Sequence, residues 1–385
     1  MLITEIKKMK IPFNFPAVFP DSYDAIYQSL KSGDHSGRGP YTKKCEDWFR
    51  EHNPEIADVV LSTSCTHALE ASAIMLNLSG DDEVIVPSYT FVTSALSFLL
   101  HGANIRFCDI RKDTLNIDET LIEGCINENT KAIIVVHYAG VACEMDEIMK
   151  IAKKYGLFVI EDNAHGLFGK YKGRNLGTIG DFAAHSFHET KNISCGEGGS
   201  LFVRDPKHIE RIKVIFEKGT NRSSFLNGTV NKYSWVDKGS SYVLSDLLAS
   251  LLYIQLINSN KIQSKRTTLW QSYFENLHLW AKNNNIGLPF VPDYCDQTYH
   301  MFYLIMPDNK TRNSFINYLK NHGITATFHY LPLDSSSMGF KICPESKLCE
   351  VSNNISDRIV RLPLYYDLSL NDQHNIIDKV KNFNL

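Results

Sequence analysis

Short, continuous apolar segments alternate along the first part of the chain with longer segments whose apolar positions recur every three or four residues. The short segments predict buried strands, and the longer segments predict helices that cover them. The predicted strands are DVVLSTS (58–64), DEVIVPS (82–88), NIRFCDI (104–110), KAIIVVHYAG (131–140), LFVIED (157–162), FAAHSFH (182–188) and SLFVRD (200–205). The predicted helices are THALEASAIMLNL (66–78), TFVTSALSFLLHG (90–102), MDEIMKIAKKYG (145–156) and KHIERIKVIFEKG (207–219). Strands that alternate with helices form parallel βαβ units, so this part predicts an α/β domain with a mainly parallel sheet.

The rhythm of the pattern changes towards the C-terminus. Residues 244–277 predict one long amphipathic helix or two helices in tandem. The segments that follow, which indicate a smaller α+β domain, are MFYLIMP (301–307), RNSFINYLKNHG (312–323), ITATFHYLPL (324–333) and NDQHNIIDKVKNF (371–383). We therefore predict a large domain over residues 1–260 and a small C-terminal domain over residues 261–385.

Composition and charge exclude several classes of protein. Hydrophobic residues make up 43% of the 385 and charged residues 22%, which is ordinary for a globular chain, and the net charge of −3 provides no basic field for nucleic acid. The segment MLITEIKKMK (1–10) lacks the apolar region of a secretory signal, and the longest apolar runs are too short to span a bilayer. The nine cysteines are scattered without a CxxC pair, so we expect no metal site. These features predict a cytoplasmic protein that binds neither membrane nor nucleic acid.

Two charged residues stand where predicted strands end. Asp162 closes LFVIED, and Lys191 follows FAAHSFH. Ligands of parallel α/β sheets bind beyond the carboxyl ends of the strands. Pyridoxal phosphate needs both groups, because a lysine holds it as a Schiff base and a carboxylate keeps its pyridine nitrogen protonated. Alternatively, Asp162 caps a helix and Lys191 is a solvated lysine.

A second cluster suits the phosphate of that cofactor. STSCTHALEAS (62–72) follows a strand and opens a helix, where backbone N–H groups and hydroxyls bind anions. Cys65 and Thr66 are the best-placed donors, and Ser186 adds a hydroxyl. The alternative is an ordinary N-cap formed by Ser64 or Thr66.

Aromatic and imidazole side chains flank the same positions. Tyr89 and Phe91 follow a strand, and either ring can stack on a flat cofactor or belong to the core. His165 and His188 lie near Asp162 and Lys191, where a histidine can bond the ring oxygen, orient the lysine, or have a purely structural role. The glycines of CGEGG (195–199) predict a tight turn.

The order of the segments TSCT, PSYTFV, VIEDNAH and SFHETKNISCGEGG resembles the DegT-like sugar-nucleotide aminotransferases, which have PLP fold type I. The resemblance extends over nearly the whole chain, and SFHxxKN followed by GEGG is its specific element. It implies a large PLP-binding domain, a smaller C-terminal domain, and a homodimer with shared active sites.

The resemblance also implies roles for matched positions. Lys191 forms the Schiff base, Asp162 pairs with the pyridine nitrogen, and His165 takes the place of a Gln or His that contacts the ring oxygen. Phe91, rather than Tyr89, takes the place of the stacking aromatic. The residues implied to hold the phosphate are Cys65, Thr66 and Ser186.

One position departs from the family. Many relatives supply an asparagine from the partner subunit in a Y-N-x-[ST]-[DE] pattern, whereas this chain has Val243 there, within YVLSD (242–246). The sequence therefore does not show which residue of the partner subunit, if any, contacts the phosphate.

Residues 217–242 are most similar to family members that aminate C4 of a dTDP-sugar. The similarity implies transfer from L-glutamate to dTDP-4-dehydro-6-deoxy-D-glucose, giving dTDP-4-amino-4,6-dideoxy-D-galactose and 2-oxoglutarate, for O-antigen, enterobacterial common antigen or a related surface polysaccharide. Alternatives are the epimeric dTDP-4-amino-4,6-dideoxy-D-glucose product and a non-catalytic regulatory protein on the same fold. A PLP-dependent dehydratase is disfavoured, because such relatives replace the Schiff-base lysine, typically with histidine.

The nucleotide diphosphate needs cations, for which arginine is best suited. Glycine-containing loops supply three candidates, Arg38, Lys218 and Arg222. Alternatively, each is a solvated charge on a loop, without a role in binding. The further candidates for binding the substrate are His188, His329 and Tyr330. The last two lie in FHYLPL (328–333), where the small domain of such enzymes closes over the sugar. Alternatively, these two side chains only pack at the boundary between the domains.

Overall fold

The computed structural model describes residues 11–344 and 348–384. The segment 1–10, which carries the prediction about a secretory signal, lies outside the described residues. Within the described ranges, no helix has the length and apolar character that a membrane crossing requires.

Seven strands of the described chain form one central sheet in the order β1-β9-β8-β5-β4-β2-β3. The strands in chain order are β1 (Asp58–Ser62), β2 (Glu83–Pro87), β3 (Asn104–Cys108), β4 (Thr130–Val136), β5 (Phe158–Asp162), β6 (Lys170–Tyr171), β7 (Arg174–Asn175), β8 (Phe182–Ser186), β9 (Gly199–Val203), β10 (Cys295–Asp296), β11 (Phe302–Ile305) and β12 (Ile359–Leu362). The run from β3 through β2, β4 and β5 to β8 is parallel, and β9 is antiparallel to both of its neighbours. Every strand predicted for the large domain is present, and the prediction of a mainly parallel sheet is confirmed.

The described chain contains fourteen α-helices, of which those in its larger part cover the two faces of this sheet. They are α1 (Asp21–Ser32), α2 (Pro40–His52), α3 (Cys65–Met75), α4 (Thr93–Leu99), α5 (Glu119–Cys125), α6 (Met145–Tyr155), α7 (Ile209–Phe216), α8 (Arg222–Leu226), α9 (Asp246–Ile257), α10 (Ser259–Asn283), α11 (Asn309–Asn321), α12 (Gly339–Ile342), α13 (Glu350–Arg358) and α14 (Leu370–Lys381). One apolar cluster joins α3 and α4 to one sheet face, and another joins α5 and α6 to the opposite face. This burial on both faces explains why the central strands consist of continuous apolar runs.

Three predicted elements differ in their bounds. The helix predicted from residue 90 begins at Thr93, so Phe91 lies in a turn before it. The segment predicted as one or two helices is two, α9 and α10, which meet at Asn258. Residues 324–333 form no strand and contribute only isolated bridges, at Ile324 and Thr327.

The C-terminal part has its own apolar core around the antiparallel pair β11 and β12. Leu269, Tyr273 and Leu277 of α10 belong to this core, whereas Ile262 of the same helix packs with α9 and the large sheet. Helix α10 therefore contributes to both parts, and the division at residue 260 stays a prediction.

Candidate active site

A cavity of about 720 Å³ lies at the carboxyl edge of the central sheet. Val136, Asp162 and Ser186, which end the parallel strands β4, β5 and β8, line its floor. The opposite wall comes from residues 327–330 and from the end of β12 with the segment after it. The sheet edge and the C-terminal part together thus enclose the place where ligands of parallel sheets bind.

Lys191 and Asp162 line this same cavity. Asp162 is buried, and its carboxylate accepts hydrogen bonds from Ser94 Oγ at 2.6 Å and from the backbone N–H of Ala164 at 3.2 Å. Burial raises the pKa of Asp162, although the Ser94 hydrogen bond opposes that shift. A carboxylate held in this way is suited to share a proton with a basic ring nitrogen.

Lys191 lies on the loop that joins β8 to β9. Its backbone N–H bonds the carbonyl of His188 at 2.9 Å, and the neighbouring Asn192 donates from Nδ2 to the carbonyl of Thr298 at 2.8 Å. Burial lowers the pKa of Lys191 from the usual 10.5 to about 8. About a tenth of this amine is then neutral at pH 7, far more than for a solvated lysine. Lys191 is thus suited to act as a nucleophile.

His165 lines the cavity through its imidazole ring. Its ring stacks on His300 with centroids 4.3 Å apart, and Nε2 lies 3.4 Å from the Tyr330 hydroxyl. The buried Nδ1 has no hydrogen-bond partner among the described residues. Burial lowers the pKa of His165 far below its usual value, so the ring is neutral. A neutral imidazole with one unpaired nitrogen fits a ligand oxygen.

The N-terminus of α3 forms another wall of the cavity. Ser64 caps it by accepting from the backbone N–H of His67 at 3.1 Å, as the N-cap alternative predicts. Cys65 and Thr66 occupy the first turn and line the cavity, so their backbone N–H groups lack intrahelical partners. Gly199 keeps this end open, because a Cβ there would lie 2.5 Å from the backbone nitrogen of Cys65. This wall fits a phosphate.

The two aromatic candidates have different environments. Tyr89 is 1% exposed and packs against Tyr138, with ring centroids 5.3 Å apart, so its core alternative is confirmed. Phe91 is 53% exposed, lines the cavity and lies 6.1 Å from the ring of Tyr330. Phe91 therefore has a ring face available for stacking.

The remaining substrate candidates fall into two groups. His188, His329 and Tyr330 line the cavity, and His329 Nδ1 lies 2.7 Å from the Tyr138 hydroxyl. His329 therefore both packs against Tyr138 of the large part and lines the cavity, so the two alternatives given for the FHYLPL segment are compatible.

The three predicted diphosphate cations surround the buried carboxylate of Glu217 instead. Arg38 Nε lies 2.8 Å from this carboxylate, Arg222 Nη1 3.7 Å and Lys218 Nζ 4.0 Å. Lys218 and Arg222 line a second cavity of about 450 Å³, together with Val243. The structure does not bring these cations into the main cavity, and their role in diphosphate binding stays a prediction.

Sequence reasoning missed several residues of the main cavity. Ser94 bonds Asp162, and His300 stacks on His165 with its Nδ1 2.8 Å from Asn192 Oδ1. Arg361 of β12 also lines the cavity. In the sequence, Ser94 is marked only by its position four residues after Thr90 in a segment predicted to be helical. The hydroxyls of these two residues are bonded at 2.8 Å. His300 and Arg361 carry no such signal.

Comparison with known proteins matches residues 20–381 to the DegT/DnrJ/EryC1/StrS aminotransferase family. The uncharacterized protein MJ1066 of Methanocaldococcus jannaschii is 33% identical, with 98% of each chain covered. The spore coat polysaccharide biosynthesis protein SpsC of Bacillus subtilis is 30% identical, over 97% of this chain and 96% of SpsC. The structure also superposes on the putative sugar aminotransferase Spr1654 from Streptococcus pneumoniae in its PMP-form, with a TM-score of 0.88, 25% identity, and coverage of 96% of this chain and 98% of Spr1654. The predicted fold, PLP fold type I, is confirmed.

Proposed function

The chain belongs to the DegT/DnrJ/EryC1/StrS aminotransferase family, and from this premise we propose that it transfers the amino group of L-glutamate to C4 of dTDP-4-dehydro-6-deoxy-D-glucose. The products are then dTDP-4-amino-4,6-dideoxy-D-galactose and 2-oxoglutarate. The observation that carries the assignment to transamination is the presence of Lys191 and Asp162 in one cavity at the carboxyl edge of the sheet.

Enzymes of this family use pyridoxal phosphate, which supplies the aldehyde that takes up the amino group and a ring that withdraws electrons. The residues present fit that group. The N-terminus of α3 with Ser186 fits its phosphate, Asp162 its ring nitrogen, and the neutral His165 ring, which lines the cavity, its ring oxygen. Phe91 covers one face of the ring.

Each residue has a defined task in the proposed reaction. Lys191, whose pKa burial lowers, would hold the cofactor through its partly neutral amine and would take the proton from the α-carbon of glutamate. Asp162 holds a proton at the ring nitrogen, because its buried carboxylate gains by pairing with a positive charge. The neutral His165 orients the ring without adding charge.

The sugar half of the proposal rests on the similarity of residues 217–242 to C4-aminating relatives. SpsC, which acts in spore coat polysaccharide biosynthesis, and Spr1654, a putative sugar aminotransferase, support a sugar as the amino acceptor. We propose that the enzyme is a cytoplasmic homodimer in a surface-polysaccharide pathway, such as that of O-antigen or enterobacterial common antigen. Arg38, Lys218 and Arg222 then approach the diphosphate held in the partner's site.

Incubation of the purified protein with pyridoxal phosphate, L-glutamate and the ketosugar tests the proposal. We expect an aminosugar whose H4 shows small NMR couplings, as for an axial amine. Large couplings to both neighbouring protons would identify the gluco epimer. A protein that binds the cofactor but consumes no glutamate would support the non-catalytic alternative.

A further inference from the structure

Arg361 is a half-buried cation to which the assignment of the cofactor gives no role. It lies on β12, in the wall of the main cavity that faces the sheet edge. Among the described residues, Nε is buried without a hydrogen-bond partner, and no carboxylate forms an ion pair with the guanidinium. Burial of a charge without a partner is costly, so this arrangement points to an anionic ligand.

The side chain is held in place by contacts that leave donors unpaired. Backbone bonds in both directions join Arg361 to Thr327, at 2.7 and 3.2 Å. The guanidinium carbon lies 4.7 Å from the centre of the Phe13 ring, and Nη2 donates to the carbonyl of Phe328 at 3.3 Å. These contacts fix the guanidinium plane, and a preorganised plane is suited to bind a carboxylate through two parallel hydrogen bonds.

Arg361 also lines the same cavity as Lys191 and Asp162. Burial is the main cause that lowers the pKa of Lys191, and the Arg361 guanidinium lowers it further. The carboxylates that line the cavity are Asp162, which Ser94 engages, and Glu197, which lies 3.6 Å from His188 Nε2. Arg361 and Lys191 are therefore the two lysine or arginine side chains among the described residues that line the cavity, and each carboxylate that lines it has another partner.

We propose that Arg361 binds a carboxylate of the amino donor, L-glutamate, and of the 2-oxo acid formed from it. The α-carboxylate is bonded directly to the carbon whose amino group reacts, so a cation near Lys191 lies within its reach. The diphosphate of a nucleotide sugar is attached at C1, across the sugar ring from the reacting C4. This inference rests on the proposed function, because it assigns a residue to one of its two substrates.

The half-reaction with glutamate tests the inference without the sugar. The change in cofactor absorbance is followed against glutamate concentration for wild type, Arg361→Lys and Arg361→Gln. We expect the half-saturating glutamate concentration to rise about tenfold in the lysine variant and about a hundredfold in the glutamine variant, with a smaller change in the limiting rate. Glutarate, a dicarboxylate without an amino group, should compete with glutamate in wild type and lose this ability in Arg361→Gln.

Arg358→Gln is the matched control, because this arginine is half-buried outside the residues that line the main cavity and its guanidinium bonds Asn354 of its own helix. We expect it to behave like wild type in every arm. If Arg361→Gln fails to fold or to bind cofactor, Arg361→Lys keeps the test decisive.

The second half-reaction separates a carboxylate from a diphosphate. Protein loaded with pyridoxamine phosphate is mixed with the dTDP-ketosugar, and we expect Arg361→Lys to react at the wild-type rate. Selective loss of this step would overturn the inference and assign Arg361 to the nucleotide. Unchanged affinity for glutamate would also overturn it, while leaving the proposed function intact. A wild-type protein inert towards glutamate would refute the proposed function itself.

Discussion

Burial decides the chemistry of individual side chains in the main cavity. Lys191, Asp162 and His165 are each shifted towards their uncharged forms by the loss of water, and each faces a ligand position. Perturbed groups of this kind concentrate where catalysis occurs. The consequences can be tested residue by residue.

Lys191→Ala removes the amine, and we expect the transfer rate to fall by more than about a thousandfold, since both covalent and proton-transfer steps are lost. The variant should still bind pyridoxal phosphate weakly, through the N-terminus of α3 and Asp162. Steady-state assays and cofactor absorbance measure the two effects. Lys207→Ala is the control, because Lys207 is a surface residue paired with Asp205. Retained activity in Lys191→Ala would contradict the assigned role.

The pH dependence of cofactor uptake follows from the pKa of Lys191. In the apoprotein only the neutral amine attacks the aldehyde, so the rate of uptake should rise about tenfold per pH unit below a pKa of about 8 and level off above it. Stopped-flow absorbance between pH 6 and 9.5 measures this profile. A rate that is still rising steeply at pH 9.5 would show that the amine titrates like a solvated lysine.

Secondary-structure elements position these residues, and the N-terminus of α3 closely approaches β9 at Gly199. Gly199→Ala puts a methyl carbon 2.5 Å from the backbone nitrogen of Cys65, so the helix N-terminus must move. We expect a loss of about 1–3 kcal/mol in the free energy of unfolding and at least a tenfold weaker affinity for pyridoxal phosphate. Denaturant titration and cofactor titration measure the two.

Gly124→Ala in α5 is the matched control, because open space surrounds that position and alanine favours helix. It should be neutral or slightly stabilising. Equal behaviour of the two variants would show that the close approach at Gly199 has no role.

Most elements of the large sheet could be predicted from the sequence, because strands buried on both faces need continuous apolar runs. The bounds that differed depend on local contacts. Helix α4 begins at Thr93, with Thr90 before it bonding the Ser94 hydroxyl, and α9 and α10 separate at Asn258 although the apolar pattern continues. The spacing of apolar residues along the sequence does not indicate such contacts.

The candidate site was predictable where a residue follows a strand. Asp162 and Lys191 end up in one cavity because neighbouring strands end at one sheet edge. Arg361 and His300 reach that cavity only through the packing of the C-terminal part, which no spacing in the sequence encodes. The pairing of Arg38 with the buried Glu217 is likewise a tertiary contact.

At the scale of the whole molecule, Arg222 of the second cavity allows a test of the proposed dimer with shared active sites. We predict that a Lys191→Ala chain and an Arg222→Ala chain, each impaired alone, recover activity when mixed and refolded together. A mixed dimer then has one site with Lys191 from one chain and Arg222 from the other. Random pairing gives half mixed dimers with one intact site each, so we expect about a quarter of the wild-type activity.

Steady-state assays on the mixture, with each variant alone as control, measure the recovery. Absence of recovery, in a mixture shown to contain dimers, would place Lys191 and Arg222 in the same chain's site. A monomer in solution at working concentrations would refute the shared site directly.

The antiparallel direction of β9 has a mechanical consequence. Because β8 and β9 pair along their length, residues 187–198 form a hairpin connection that is anchored at both ends. Within it, the Lys191 N–H bonds the carbonyl of His188 and Asn192 Nδ2 bonds the carbonyl of Thr298, so the backbone at Lys191 is held and the amine moves by rotation about its own side-chain bonds. Insertion of a single residue into the hairpin would therefore change the positions that the Lys191 amine can reach, even if every group that touches the substrate were kept.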